Sequence, residues 1–97
     1  MIEILKTQVF TEWFEKLRDH QAKRLIQAKI DYLAVGGIGK AKRLTSKVSE
    51  LKIDHGPGYR VYFTQRGAVV VVLLCGGDKS TQDADIERAV RLAAALK

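Results

Sequence analysis

The 97-residue sequence predicts an α+β fold: a small, mainly antiparallel sheet, two N-terminal helices packed on one face, and a C-terminal helix. Three observations carry that expectation. Apolar and polar residues alternate with the two-residue period of a strand at 2–6, 48–54 and 59–64. Apolar residues recur at helical spacing over 9–17, 22–33 and 86–96. Glycines punctuate the chain between these stretches, at Gly36-Gly37, Gly56-Pro57-Gly58, Gly67 and Gly76-Gly77. The predicted order is β-α-α-β-β-β-α, in one domain spanning residues 1–97.

Each element has its own signal. Ile2 and Ile4 alternate with polar neighbours and open the chain as a strand. Thr7, a residue type suited to N-capping, precedes a stripe of Val9, Phe10, Trp13, Phe14 and Leu17, whose aromatic members belong to the core. Asp19 caps a second helix carrying Ala22, Leu25, Ile26, Ile30 and Leu33, and Gly36-Gly37 ends it. Residues 38–47 form a Gly- and Lys-bearing connection. In the next strand Leu51 and Ile53 face one way, and Glu50, Lys52 and Asp54 the other. After the turn, Tyr59, Val61 and Phe63 share one face, and Arg60, Tyr62 and Thr64 the opposite one. Ala68 to Cys75 is apolar on both faces, which suits an inner strand, and Gly76-Gly77 is expected to end it. Ser80 with Asp83 resembles a capping box, with Asp in place of Glu, for a last helix buried along Ile86, Ala89, Val90, Ala93 and Leu96.

Apolar residues make up 46% of the chain, enough for a packed core and too many for a disordered one. The net charge is +6, and it is unevenly spread. Residues 36–67 hold seven basic side chains (Lys40, Lys42, Arg43, Lys47, Lys52, Arg60, Arg66) against two acidic ones, whereas residues 68–97 are neutral. A polyanion is the partner such a segment suits, and Lys40, Lys42, Arg43, Lys47 and Arg66 become candidate nucleic-acid contacts. A solvated loop kept for solubility is the alternative for Lys40, Lys42 and Arg43. The longest apolar run has eight residues, against roughly 20 for a membrane span, so no membrane partner is expected. No secretory leader is evident at the N-terminus, and the lone Cys75 excludes an internal disulfide and a Cys-built zinc site. A cytoplasmic protein without metal, cofactor or small-molecule ligand is the expectation.

Strand parity points to a site. Closing the hairpin over Asp54 to Gly58 sets Lys52 opposite Arg60, and Glu50 opposite Tyr62, on a face expected to be open. Like charges across a strand pair are destabilising, so the two cations call for an anion, and phosphate fits a guanidinium fork beside an ammonium. The alternative is that Glu50 and Asp54 neutralise both cations on a solvated face. Gly76-Gly77-Asp78-Lys79, ahead of a helix, offers backbone N–H groups and one more cation to a phosphate. Cleaving RNA through its 2′-hydroxyl needs a base, an acid and cations for the phosphorane. His55 in the turn is the candidate proton carrier, Glu50 the alternative base, and Tyr59 and Tyr62 are candidates to stack or orient a nucleotide. His20 reads as structural or exposed. Metal-ligand spacing and a Ser/His/Asp set are both lacking.

The blocks Phe10-x-x-Trp13-Phe14-x-x-Leu17-x-Asp19, Glu50-Leu51-Lys52-Ile53, Gly56-Pro57-Gly58-Tyr59-Arg60-Val61-Tyr62-Phe63, Leu73-Leu74-x-Gly76-Gly77-Asp78-Lys79-Ser80-Thr81-Gln82 and Asp85-Ile86-x-x-Ala89 resemble the addiction-module killer proteins. These form the HigB-like branch of the RelE/ParE toxin superfamily, and the resemblance extends over nearly the whole chain. It implies a RelE-like fold and a bacterial type II toxin neutralised by a helix-turn-helix antitoxin. It also implies an endoribonuclease that cleaves mRNA on the ribosome and arrests translation. By that resemblance Arg60 matches the active-site arginine, Lys52 a basic position on the preceding strand, and Lys79 the basic residue after the central strand. Two departures stand out. Lys52 occupies a position where the killer proteins often have Arg, and near the last helix Asp83 and Asp85 stand where RelE-type enzymes carry a tyrosine. A ParE-like toxin that binds DNA gyrase without catalysis, or an inactive nucleic-acid-binding relative, are the other readings.

Overall fold

A computed structural model describes residues 1–37 and 41–96. Strand β1 (Glu3–Lys6) leads into α1 (Gln8–Lys16) and α2 (His20–Ala34). Four strands follow, β2 (Lys42–Arg43), β3 (Ser49–Ile53), β4 (Tyr59–Arg66) and β5 (Val70–Asp78), then a 3₁₀ turn (Lys79–Thr81) and α3 (Gln82–Ala95). The sheet order is β1-β5-β4-β3-β2, antiparallel except for the parallel β1–β5 pair. This is the α+β arrangement the pattern predicts, with one strand added. Two-residue β2 pairs with β3 inside the segment expected to be a plain connection, and it is too short to carry a period.

Local chemistry starts each N-terminal helix where expected. The Thr7 hydroxyl accepts from Phe10 N–H at 3.0 Å, and Asp19 Oδ1 accepts from Ala22 N–H at 3.1 Å. Phe10 of α1 and Ile26, Ile30 and Leu33 of α2 are buried against Leu51, Ile53, Val61, Phe63, Val71 and Leu73, and Ala22 is buried as well. Leu25, assigned to that stripe, lies instead at its exposed rim. Half-buried Trp13 and Phe14 flank Phe10, with ring centroids 5.8 and 5.9 Å from its own.

The second face of the sheet departs from expectation. It is not open: α3 lies on it, and Ala89 and Ala93 pack on Tyr62, Val72, Leu74 and Cys75. A β5 strand apolar on both sides requires such cover, because either bare face would leave its valines and leucines in water. Val90, expected in the buried stripe, is exposed, and the stripe begins instead with a buried carboxylate, Asp85. The glycine pair does not end β5, which runs through both residues to Asp78. Its absent side chains allow close approach from both layers: a Cβ on Gly76 would collide with the Trp13 indole, and one on Gly77 with the Asp85 carboxylate. A β-bulge at Tyr62/Phe63 keeps both Leu74 and Cys75 on the α3 side.

Candidate functional site

Parity places the central pair correctly. Lys52 is register-opposite Arg60, and Glu50 is register-opposite Tyr62. The repulsion between the two cations is resolved diagonally. Lys52 Nζ lies 3.6 Å from Asp54 Oδ1 at the surface, while Arg60 Nε lies 2.7 Å from Glu50 Oε1 beneath α3. Both predicted acids therefore neutralise both cations, but only one pair is solvated. Arg60 is 6% exposed and Glu50 5%. Gln82, in the first turn of α3, donates from Nε2 to Glu50 Oε1 at 3.2 Å.

The rest of the Arg60 guanidinium points toward the hairpin turn. Nη1 donates to the Gly58 carbonyl at 2.9 Å, and Nη2 is the nitrogen left over by these contacts. Gly58 also lies beside Lys79: a Cβ built on it would come within 3.5 Å of Arg60 Nη1 and 3.6 Å of Lys79 Cβ. The positive φ of 81° at Gly58 makes glycine the suitable residue for that bend. Arg60, Lys79 and Lys52 thus stand toward one end of the sheet, Arg60 recessed under α3 and the two lysines exposed. Lys52 also lines a groove against Leu25, Ala28, Lys29 and Tyr32 of α2.

The anion cradle expected at Gly76-Gly77-Asp78-Lys79 is occupied by the chain itself. Asp78 Oδ1 accepts from Ser80 N–H at 2.8 Å and from the Ser80 hydroxyl at 2.5 Å, and Thr81 completes a capping box with Asp78. The cap therefore sits two residues ahead of the expected Ser80–Asp83 pairing, because a 3₁₀ turn precedes α3. Thr81 Oγ1 also donates to Asp85 Oδ2 at 2.5 Å, holding that carboxylate over Gly77, which is register-opposite Arg60. Gln82 and Asp85 stand in the blocks shared with the killer proteins, but motif reading gives them no place at the site. For Asp85 the signal is the helical spacing Asp85–Ala89–Ala93, a buried stripe whose first member is an acid.

Other expected participants lie elsewhere. His55 Nε2 is 2.9 Å from Asp19 Oδ2, so the turn histidine ties the β3–β4 hairpin to the start of α2, on the side away from α3. Tyr59 faces that same side and meets Trp13 edge-on, with centroids 6.4 Å apart. Tyr62 cannot stack on a base, because it is 0% exposed under α3. Burial, followed by the Glu50 and Asp85 charges, pushes its phenol far above the usual tyrosine range. Burial pushes the Cys75 thiol up to about 11, with Asp85 adding to the shift, so this cysteine is no nucleophile at neutral pH.

The remaining basic residues form a second group. Lys42 is exposed on the edge strand, register-opposite Glu50. Arg43, Lys47 and Gln65 line a shallow groove of about 250 Å³, and Lys47 and Arg66 border its neighbour. Arg66 ends β4, six residues from Arg60, or about 20 Å at strand rise. Lys40 lies outside the described residues. Among the described residues, no three His, Cys, Asp or Glu side chains gather as metal ligands, and no helix is long and apolar enough to cross a membrane.

The sequence pattern of the phage-derived Gp49-like (DUF891) proteins matches residues 12–96, most of the chain. The chain belongs to the Gp49-like family. A protein of Haemophilus influenzae, described as uncharacterized, is 47% identical over 95 residues, covering 98% of this chain and 96% of its own. A solved structure of a mutant of the E. coli toxin RelE in the free state superposes with a TM-score of 0.77, covering 98% of each chain at 15% identity. The Gp49-like chain therefore has the RelE fold, as its resemblance to the killer proteins implied.

The Asp19–His55 contact yields a pH prediction. The Ala22 N–H, and then His55, hold the Asp19 carboxyl below its ordinary value of 3.8. A lowered folded-state value means a stabilisation that is complete above the ordinary value and fades as pH falls through the lowered one. Asp19→Asn, which keeps a capping side chain, is expected to flatten the acid limb of the stability curve below about pH 4. Urea midpoints between pH 6 and pH 3 measure this, and parallel curves for the two proteins would contradict it.

Proposed function

We propose that residues 1–97 form a single RelE-like toxin domain of a bacterial type II toxin–antitoxin module. Its activity is endoribonucleolytic cleavage of mRNA on the ribosome, in the cytoplasm, and its partners are mRNA, the ribosome and a helix-turn-helix antitoxin. The observation that carries the reading is that Arg60 Nη1 and the Cβ of Lys79 both come close to Gly58, with Lys52 across the strand pair. One guanidinium edge and two ammonium groups can face the non-bridging oxygens of a scissile phosphate and stabilise the charge that grows in the phosphorane. The RelE fold, the Gp49-like family and the basic middle segment support it.

Proton transfer is the weaker half of this site. Glu50 is committed to Arg60, His55 to Asp19, and Tyr62 is buried. Ribosomal RNA therefore has to supply acid–base groups. Since such groups contribute roughly 10²–10⁴-fold, cleavage of naked RNA should be slower than cleavage on programmed ribosomes by about 100-fold or more. Primer extension on both substrates measures the ratio, and equal rates would contradict the ribosome's role.

One observation favours a second reading. The buried Glu50–Arg60 pair leaves Arg60 neutralised, as in a toxin that has no phosphate to bind, such as a ParE-like poison of DNA gyrase. Supercoiling by purified gyrase separates the two: the ribonuclease reading expects no inhibition.

A further inference from the structure

We propose that Glu50 and Gln82 are positioning residues, a relay from α3 through β3 to β4 that holds the Arg60 guanidinium by its Nε so that its Nη edge faces Gly58 and Lys79. The inference rests on the reading of Arg60 as the phosphate-binding arginine, and it assigns Glu50 a task other than proton transfer.

Four features converge on it. Glu50 approaches the guanidinium at Nε and not at its two-pronged end, so the edge suited to a phosphate is kept free of the carboxylate. Glu50 Oε1 is engaged from two sides, by Arg60 Nε and by the Gln82 amide, so the carboxylate is committed to positioning and not turned toward a substrate hydroxyl. Breaking the pair would strand a charge beneath α3, so Glu50 is a fixed partner and does not step aside when an anion arrives. Gln82, finally, has no capping duty: Asp78 and Thr81 cap the turn before α3, while the Gln82 amide reaches across to Glu50. Gly77 makes that reach possible. With no side chain there, Asp85 and the first turn of α3 settle directly on β5 beside Arg60.

The relay predicts a specific pattern in the full-length chain. Gln82→Ala should lower kcat on programmed ribosomes about 10-fold with KM unchanged, and Glu50→Gln about 100-fold, the scale of an ångström's misplacement of a catalytic group. The Glu50→Gln pH–rate profile should keep its shape at reduced height. Loss of its low-pH limb would instead make Glu50 the proton acceptor and overturn the proposal. A second measurement needs no activity: the heteronuclear NOE of the Arg60 Nε–Hε pair should be as high as that of the β4 backbone in the wild type. It should drop in Glu50→Gln and in Gln82→Ala while the backbone values stay constant. An Arg60 side chain as ordered in both variants as in the wild type would also overturn the proposal. If the wild type cleaves nothing, the ribonuclease reading fails, and the NOE arm still decides whether the relay holds Arg60.

Discussion

Arg60→Ala should abolish growth arrest and lower the melting temperature sharply in the same protein. The first effect follows from removing the cation that faces Gly58 and Lys79. The second follows from what is left behind, because Glu50, 5% exposed, would keep its charge with no counter-ion. Breaking a buried pair from one side costs about 3–5 kcal/mol, a large share of the roughly 5–15 kcal/mol that stabilises a domain. For a chain of this size that corresponds to about 12 °C or more in melting temperature. Loss of toxicity in Arg60→Ala alone would therefore not separate chemistry from folding. Arg60→Met with Glu50→Leu does. Apolar residues of similar volume remove both charges together, an exchange that is often neutral or stabilising. The double variant should melt near the wild type in a circular-dichroism scan and still fail to arrest growth. Full toxicity in either protein would mean that Arg60 serves the fold alone.

Much of this site can be read from the sequence because a strand's side chains alternate with a period of two. Once Leu51, Ile53, Val61 and Phe63 are assigned to the core, Glu50, Lys52, Arg60 and Tyr62 must share the other face, and the Lys52–Arg60 register follows from the turn length. Parity names a face without saying what covers it. The cover was still inferable, since Ala68 to Cys75 is apolar on both sides and needs a layer on each. That inference turns Tyr62 from a stacking platform into core, and Arg60 from a surface cation into half of a buried pair. Other features lie beyond local pattern. Gly76-Gly77 has the composition of a strand end, and only the positions of Trp13 and Asp85 show it to be a place of close approach on two faces. The His55–Asp19 contact joins residues 36 apart in sequence, so neither neighbourhood announces it. The capping box slipped two residues because Asp78 and Ser80 are both good caps, and the short 3₁₀ turn that contains Ser80 leaves no periodicity to choose by.

Gly77→Ala should destabilise the protein and slow cleavage through a single added methyl group. The new Cβ would collide with the Asp85 carboxylate, which Thr81 holds in place and α3 buries. Either Asp85 rotates and gives up the Thr81 hydroxyl, or the first turn of α3 lifts and draws Gln82 away from Glu50. Overpacking of this kind costs typically about 1–3 kcal/mol, or some 4 °C at the least in melting temperature. A double-mutant cycle with Asp85→Ala identifies the obstacle. Truncating Asp85 removes the nearer obstacle and frees the Thr81 hydroxyl, whose Oγ1 would stand 2.9 Å from the same Cβ, to turn away. The double variant should therefore be more stable than the sum of the two single losses predicts, with a coupling of about 0.5–3 kcal/mol. Losses that add to within about 0.5 kcal/mol would mean that the methyl group and the carboxylate never meet. The two routes are also separable by activity. If the helix lifts, Gly77→Ala should lower kcat as Gln82→Ala does, because both changes release Glu50 from α3; if only Asp85 rotates, cleavage should survive while stability falls.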